Sequence, residues 1–101
     1  MTRSVSALFA LLSVAAAAAP AAASQVHFRA QPVAVPAEAR LVVRDTVFRC
    51  ADSGCVAPRA SSRAEIVCSA LVREIGAVSS FSANGRSFGA DELAACNRAA
   101  R

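Results

Sequence analysis

Four cysteines are the residues whose chemistry the sequence indicates most clearly. Cys50 and Cys55 flank a short stretch of turn-forming residues, and Cys68 and Cys96 follow further along the chain. Cysteines at such spacings can form disulfides, bind zinc or take part in redox catalysis. Which of these they do depends on the elements that bring them together.

The stretch between Cys50 and Cys55 favours a disulfide. Residues 51–54 are Ala-Asp-Ser-Gly, which predicts a β-hairpin that sets the two cysteines opposite each other and ends before Pro58. Opposed Cα atoms in antiparallel strands lie about 4.5–5.5 Å apart, within reach of a disulfide. Of the three possible pairings, we therefore favour Cys50–Cys55 with Cys68–Cys96.

The two other cysteine chemistries fit the spacing less well. A zinc site of four cysteines usually contains two close pairs, whereas Cys68 and Cys96 are far apart in the sequence. Redox catalysis usually employs C-x-x-C, and the chain has no such motif. We expect the four thiols to serve as structural cross-links, which form outside the cytoplasm.

Residues 1–23 have the pattern of a signal peptide. Arg3 precedes an apolar run that ends at Ala19, and three alanines stand before a predicted cleavage point after Ala23. A retained membrane anchor is the alternative, but the strongly apolar part is short for a span, and no cysteine near the cleavage point can carry a lipid. We expect residues 24–101 to form one exported domain, periplasmic or secreted, with no membrane span after cleavage.

The exported part has few residues with which to build a core. From Ser24 onward it contains 19 Val, Ile, Leu and Phe residues. Domains of this size bury little more than half of the surface of their unfolded chain and often require covalent cross-links. Two disulfides would compensate for the small core.

Local patterns predict strands in the first half of the domain. Residues 26–30 alternate apolar and polar side chains, as in a strand with one buried face. Pro32 and Pro36 bracket a segment that can be extended only at a sheet edge. Residues 40–50 are apolar on both faces, which predicts one long central strand.

The second half begins with a predicted helix. Ser62 and Glu65 have the spacing of a capping box, so the helix should begin at about Arg63. Helical periodicity places Cys68 on its buried face. Gly76 stands where a left-handed C-terminal residue is expected.

A second hairpin and a short helix complete the predicted fold. Asn84-Gly85 is typical of a type I′ turn, and this register sets Phe81 opposite Phe88. A last helix can begin at Gly89 or Asp91, with Cys96 facing inward and Asn97 facing water. The prediction is therefore an α+β domain of two β-hairpins and two α-helices, cross-linked by disulfides.

Short sequence motifs in this region resemble a known family. They are R-D-T-V-F-R-C, G-C-V-A-P-R, S-R-A-E-I-V-C, S-S-F-S-A-N-G and L-A-A-C-N, in this order between residues 44 and 97. The order resembles a family of small exported alphaproteobacterial proteins of unknown function. The resemblance implies a disulfide-bonded envelope protein, and it implies no activity, cofactor or catalytic residue.

The charged residues favour interaction over catalysis. All eleven basic residues are arginines, and the ten that follow Arg3 against seven acidic residues give the exported part a net charge of +3. Signs alternate along the chain, as in Arg44-Asp45, which favours a solvated surface over a polyanion-binding patch, and we expect no nucleic-acid partner. With one histidine, no tyrosine and no lysine, no catalytic nucleophile and base can be assembled, so we expect no enzyme and no cofactor.

His27 offers one metal-binding alternative. Cleavage after Ser24 would leave Gln25-Val26-His27 at the N-terminus, where the amine, two amide nitrogens and the imidazole can bind copper or nickel in a square plane. Cleavage after Ala23 removes this geometry. We favour an ordinary polar residue at the start of a strand.

Two kinds of function remain compatible with this sequence. The first, which we favour, is a binding or inhibitory module that presents a loop, Ala51–Gly54 or Asn84–Arg86, to an envelope protein. The second is electrostatic association of the arginines with the anionic envelope surface, which salt would screen.

The intact mass of the exported protein tests this scheme. We expect the mass of residues 24–101 minus the hydrogens lost in two disulfides, because cleavage after Ala23 satisfies the small-residue rule and an oxidising compartment pairs the thiols. A mass that begins at Gln25 would restore the copper alternative. Four alkylatable thiols in the natively folded protein would contradict the scheme.

Overall fold

The structure is a computed structural model that describes residues 25–101 and the isolated positions 2, 10 and 13. Apart from those three positions, the predicted signal peptide and its cleavage site lie outside the described residues. None of the helices in the described part is long and apolar enough to cross a membrane.

The described residues form one antiparallel six-stranded sheet and two helices. The strand order is β2-β3-β4-β1-β5-β6, which places β1 inside the sheet and makes β2 and β6 its edges. The predicted α+β class and disulfide cross-linking are confirmed, and the sheet contains one more hairpin than predicted. The elements are β1 (Phe28–Pro32), β2 (Arg40–Val43), β3 (Thr46–Ala51), β4 (Gly54–Ala57), α1 (Ala64–Ile75), β5 (Val78–Ala83), β6 (Arg86–Ser87) and α2 (Ala90–Asn97).

One face of the sheet forms the core together with the two helices. Three phenylalanines from different strands, Phe28, Phe48 and Phe81, are almost fully buried there. The ring of Phe28 lies between the other two, with centroid distances of 6.2 Å to Phe48 and 5.9 Å to Phe81. Helix α1 adds four buried side chains to this core: Val67, Cys68, Leu71 and Val72.

The prediction of one long strand over residues 40–50 is wrong. The chain reverses at Arg44-Asp45, where Arg44 has a φ of 57°, and the two halves pair as β2 and β3. The turn contains Asp45 but no glycine, asparagine or proline, and tertiary contacts hold it. The Asp45 carboxylate accepts the N–H of Ser61 at 2.9 Å, and the Arg44 Nε donates to the Ser62 hydroxyl at 3.4 Å.

The hairpin that carries the first cysteine pair has the predicted register. Cys50 faces Cys55, and the ladder continues to Ala51 and Gly54, so that only Asp52-Ser53 forms the loop. Gly54 has a φ of 124°, and a Cβ there would lie 2.8 Å from the carbonyl oxygen of Ala30. The position therefore requires glycine both for its backbone conformation and for the close approach of β1.

The predicted capping box of α1 is wrong. The helix begins at Ala64, and Arg63 occupies the N-cap position with extended dihedrals and no side-chain hydrogen bond to the helix. Ser62 therefore lies one residue too early to cap, and its hydroxyl accepts from Arg44 instead. Glu65 falls in the second helical position, from which it does not complete the box.

The C-terminal end of α1 has the expected backbone reversal. Gly76 has a φ of 87°, a region that side chains with a Cβ rarely enter. Its N–H donates to the carbonyl of Val72 at 2.9 Å. The chain can thus leave the helix and enter β5 at Val78.

The Asn84-Gly85 turn is confirmed. Both residues have positive φ, 52° and 79°, as a type I′ turn requires. The Phe88 N–H donates to the Phe81 carbonyl at 2.8 Å, and the two rings lie 4.8 Å apart. The predicted aromatic pair across the hairpin is present.

Asn97 does not face water as predicted. Its Oδ1 accepts the Val78 N–H at 2.9 Å and its Nδ2 donates to the Val78 carbonyl at 2.8 Å. The Cys68–Cys96 disulfide holds α2 beside α1, and this placement turns the next residue toward the start of β5. A side-chain amide thereby satisfies two backbone groups of the sheet.

Both disulfides have the favoured pairing. Cys50 and Cys55 join directly opposed positions of β3 and β4, with a Cα separation of 4.0 Å. Cys68 and Cys96 join α1 to α2, with a Cα separation of 5.8 Å. The described residues contain no free cysteine.

Removing the two disulfides should have unequal effects on stability. Chain-entropy arithmetic gives a contribution of about 3.5 kcal/mol for the bridge between the helices and about 2 kcal/mol for the short hairpin loop. In urea denaturation, Cys68→Ala/Cys96→Ala should therefore lose more stability than the matched control Cys50→Ala/Cys55→Ala. Equal losses would show that the longer loop carries no additional stabilisation.

Candidate functional site

The sheet has an open face that is turned away from both helices. Side chains alternate along each strand, so the neighbours of the buried residues point to this face. The register places Arg40 opposite Arg49, Arg49 opposite Val56 and Val56 opposite Arg29. We call Arg29, Arg40 and Arg49 the arginine row, because they lie on one line across β2, β3, β4 and β1.

The arginine row is not neutralised within the described part of the chain. The six described strands contain four arginines and no acidic residue. The fourth, Arg86, belongs to the helix-covered side and forms an ion pair with Glu92 of α2 at 3.2 Å. Basic and acidic residues alternate along the sequence but are separated in the fold, because no acidic residue of the described strands accompanies the arginines. The acidic residues lie in helices or connections: Glu38, Asp45, Asp52, Glu65, Glu74, Asp91 and Glu92.

Arg40 and Arg49 form an opposed pair of like charges. Ladder bonds alternate along an antiparallel pair, and the bond from the Cys50 N–H to the Ala39 carbonyl at 2.8 Å leaves the neighbouring pair Arg40–Arg49 without ladder bonds. At such a position Cα atoms lie about 4.5 Å apart and side chains are close. Like charges directly opposite are destabilising. A bound anion would remove this repulsion and accept paired N–H donors from each guanidinium.

A polar concavity adjoins the row. Its volume is ≈ 260 Å³, and its lining includes Arg29, Gln31 and four serines, Ser53, Ser80, Ser82 and Ser87. Ser82 pairs with Arg29 on one side and with Ser87 on the other, so the hydroxyls continue the line of the row. We call the Gln31, Ser80, Ser82 and Ser87 side of this face the serine concavity.

The two loops proposed as alternative partner contacts lie at opposite ends of β1. The Asp52-Ser53 turn lies near Gln31, at the C-terminal end of β1, because Gly54 precedes Cys55, the antiparallel partner of Ala30. The Asn84-Gly85 turn lies at the other end of β1, where the Asn84 N–H donates to the His27 carbonyl at 2.7 Å. The open face lies between the two turns.

His27 lies directly before β1 and is hydrogen-bonded to β4. Its N–H donates to the Ala57 carbonyl at 2.9 Å, and its ring lies 4.6 Å from that of Phe28. The copper site considered from the sequence requires this same amide nitrogen as a ligand. Such a site would therefore break the hydrogen bond from the His27 N–H to β4. Ser24 itself lies outside the described residues.

The other candidate groups have structural explanations. The four cysteines form two disulfides, and within residues 25–101 no three His, Cys, Asp or Glu side chains converge as a metal site would require. Hydrogen bonds from Ser61 lower the pKa of Asp45, and the charge of Arg44 adds to this effect. That carboxylate anchors the β2–β3 turn.

Sequence reasoning missed the arginine row because its members are far apart in the chain. Only strand register brings Arg29, Arg40 and Arg49 together. A signal was present in two strands, where arginine stands between buried residues, as in Phe28-Arg29-Ala30 and Phe48-Arg49-Cys50. Alternation predicts an outward arginine at each place, but the pairing of strands decides whether they meet.

Comparison with known proteins gives a family but no function. The profile of a family of unknown function, DUF8200, matches residues 12–98. No curated protein and no solved structure matches the chain. The matched range includes every described strand and helix.

Removing one charge of the Arg40–Arg49 pair should change the melting temperature, Tm. In a chloride buffer of low ionic strength, Arg49→Gln should raise Tm by about 1–3 °C, because it removes the repulsion with Arg40. The gain should vanish in 0.5 M NaCl, which screens exposed charges. The control Arg73→Gln, on the exposed side of α1, should not raise Tm. A lower Tm for Arg49→Gln at low salt would contradict the repulsion.

Proposed function

Because the chain belongs to the DUF8200 family of unknown function, which brings no activity with it, we propose its function from the geometry: a non-catalytic binding module whose open sheet face binds an anionic ligand. The observation that carries this proposal is the arginine row on a face without acidic side chains. An anionic ligand would supply the counter-charges that the described residues do not.

The two disulfides suggest an oxidising, extracellular type of environment. We take the protein to be exported and to function in the periplasm or outside the cell. Its candidate ligands are then an acidic envelope protein or the anionic envelope surface. The second ligand is supported by Val42, which is 75% exposed on the same face as Arg40, because an apolar side chain beside basic ones suits a lipid surface.

Binding is favoured over catalysis by the chemistry of the face. Among the described residues that line the concavity there is no histidine, carboxylate or thiol that could act as a base toward the serines. The hydroxyls are therefore suited to hydrogen bonding rather than to nucleophilic attack. Single-stranded nucleic acid is a poor fit, because the phenylalanines of the described strands are buried and offer no base a stacking surface.

A charge-matched pair of variants tests the proposal on immobilised heparin, a general polyanion. Arg29→Gln/Arg40→Gln/Arg49→Gln should bind more weakly than wild type, and the slope of log affinity against log salt should fall by roughly one for each arginine lost. The control triple variant carries the same charge change elsewhere on the surface: Arg59→Gln, Arg73→Gln and Arg98→Gln. It should retain most of the affinity.

Equal weakening of the two variants would overturn the proposal, because binding would then depend on total charge and not on the open face. Circular dichroism of both variants provides the folding control. The arginine row lies outside the core, so both spectra should match wild type.

A further inference from the structure

We infer that the ligand of the open face is a phosphate ester of a polyol, with its phosphate on the arginine row and its hydroxyls in the serine concavity. This inference rests on the proposed function, since it names the chemical class of the anionic ligand. It is supported by two adjoining surfaces with different chemistry, the arginine row and the serine concavity.

The two surfaces share residues. Arg29 and Val56 line the concavity, and both also lie on the line that runs through Arg49 and Arg40. In the other direction Arg29 faces Ser82, and Ser82 faces Ser87. A ligand seated at Arg29 would therefore contact cationic groups on one side and hydroxyls on the other.

The cationic side suits a phosphate monoester. Arg49 and Arg29 stand on either side of Val56, two strand spacings or about 9.5 Å apart, so their long side chains can converge on one group. More than one positive charge is left unpaired by the described residues, and a phosphate monoester, which carries nearly two negative charges at neutral pH, matches them better than a single carboxylate. Guanidinium groups bind phosphate oxygens in pairs.

The other side suits a polyol. Serine hydroxyls and the Gln31 amide can both donate and accept hydrogen bonds, as the hydroxyls of a polyol can. The lining contains no acidic side chain that would repel the phosphate. The volume of ≈ 260 Å³ is below the usual range of sites for drug-sized ligands, so a small polyol fits it.

Titration followed by amide chemical shifts tests the inference on the full exported chain. The probes are glycerol 3-phosphate, inorganic phosphate and glycerol, in chloride buffer at constant ionic strength. Glycerol 3-phosphate should bind at least about threefold more tightly than inorganic phosphate, as expected for one added hydrogen bond at an exposed site. The shifted amides should include those of Arg29 and Ser82, and glycerol alone should cause no shift at equal concentration.

Two variants separate the halves of the site. Ser82→Ala/Ser87→Ala should abolish the preference for glycerol 3-phosphate and leave the affinity for inorganic phosphate unchanged. Arg29→Gln should weaken the binding of both glycerol 3-phosphate and inorganic phosphate. The control Ser69→Ala, on α1, should change neither affinity.

Equal affinity for the two phosphates, or a preference that survives Ser82→Ala/Ser87→Ala, would overturn the inference. If heparin binding still depends on the arginine row, the proposed function stands without the inference, and if that dependence is also absent, both fail. Vesicles that contain phosphatidylglycerophosphate, whose headgroup ends in a glycerol phosphate monoester, identify the source. Vesicle binding that Ser82→Ala/Ser87→Ala weakens indicates a lipid headgroup, and a response to glycerol 3-phosphate alone indicates a soluble ligand.

Discussion

The small core can cover only one face of the sheet, and the arrangement of the rest of the domain depends on this constraint. Cys68 and Cys96 join the two helices, and Asn97 then fixes α2 to the first residue of β5. Both helices are thereby held on the side of the buried phenylalanines. Within residues 25–101 no helix is left to cover the opposite side, so any side chain there must be compatible with water or with a ligand.

A half-covered sheet must also avoid pairing with other sheets at its edges, and the open face contributes to this. Edge strands expose unpaired backbone groups, and proteins protect them with charge or by keeping them short. Arg40 lies on edge strand β2, and the other edge strand, β6, has only two residues. Arg40, at one end of the arginine row, therefore also protects the β2 edge against pairing with other strands. The repulsion between Arg40 and Arg49 is compatible with this protective role as well as with an anion site.

The sequence predicted what depends on local chemistry and failed where tertiary contacts decide. The Asn84-Gly85 turn and the Cys50–Cys55 register follow from residues that are close in the chain, and both are present in the structure. The Arg44-Asp45 turn could not be recognised because its anchors, Ser61 and Ser62, lie in a distant connection. The arginine row required the pairing of β4 with β1, which no local pattern specifies.

Side chains alternate between the two faces of each strand, so the residues that stabilise the core differ from those available for binding. In β3 the residues before and after Arg49 are buried, whereas Arg49 itself is exposed, so one strand supplies both the core and the candidate site. A substitution on the open face removes few buried contacts and should cost little stability, whereas a change one position away affects the core directly. The ligand specificity of such a face can therefore change through its outward side chains alone, while the disulfides and the phenylalanines keep the strands in the register that brings those side chains together.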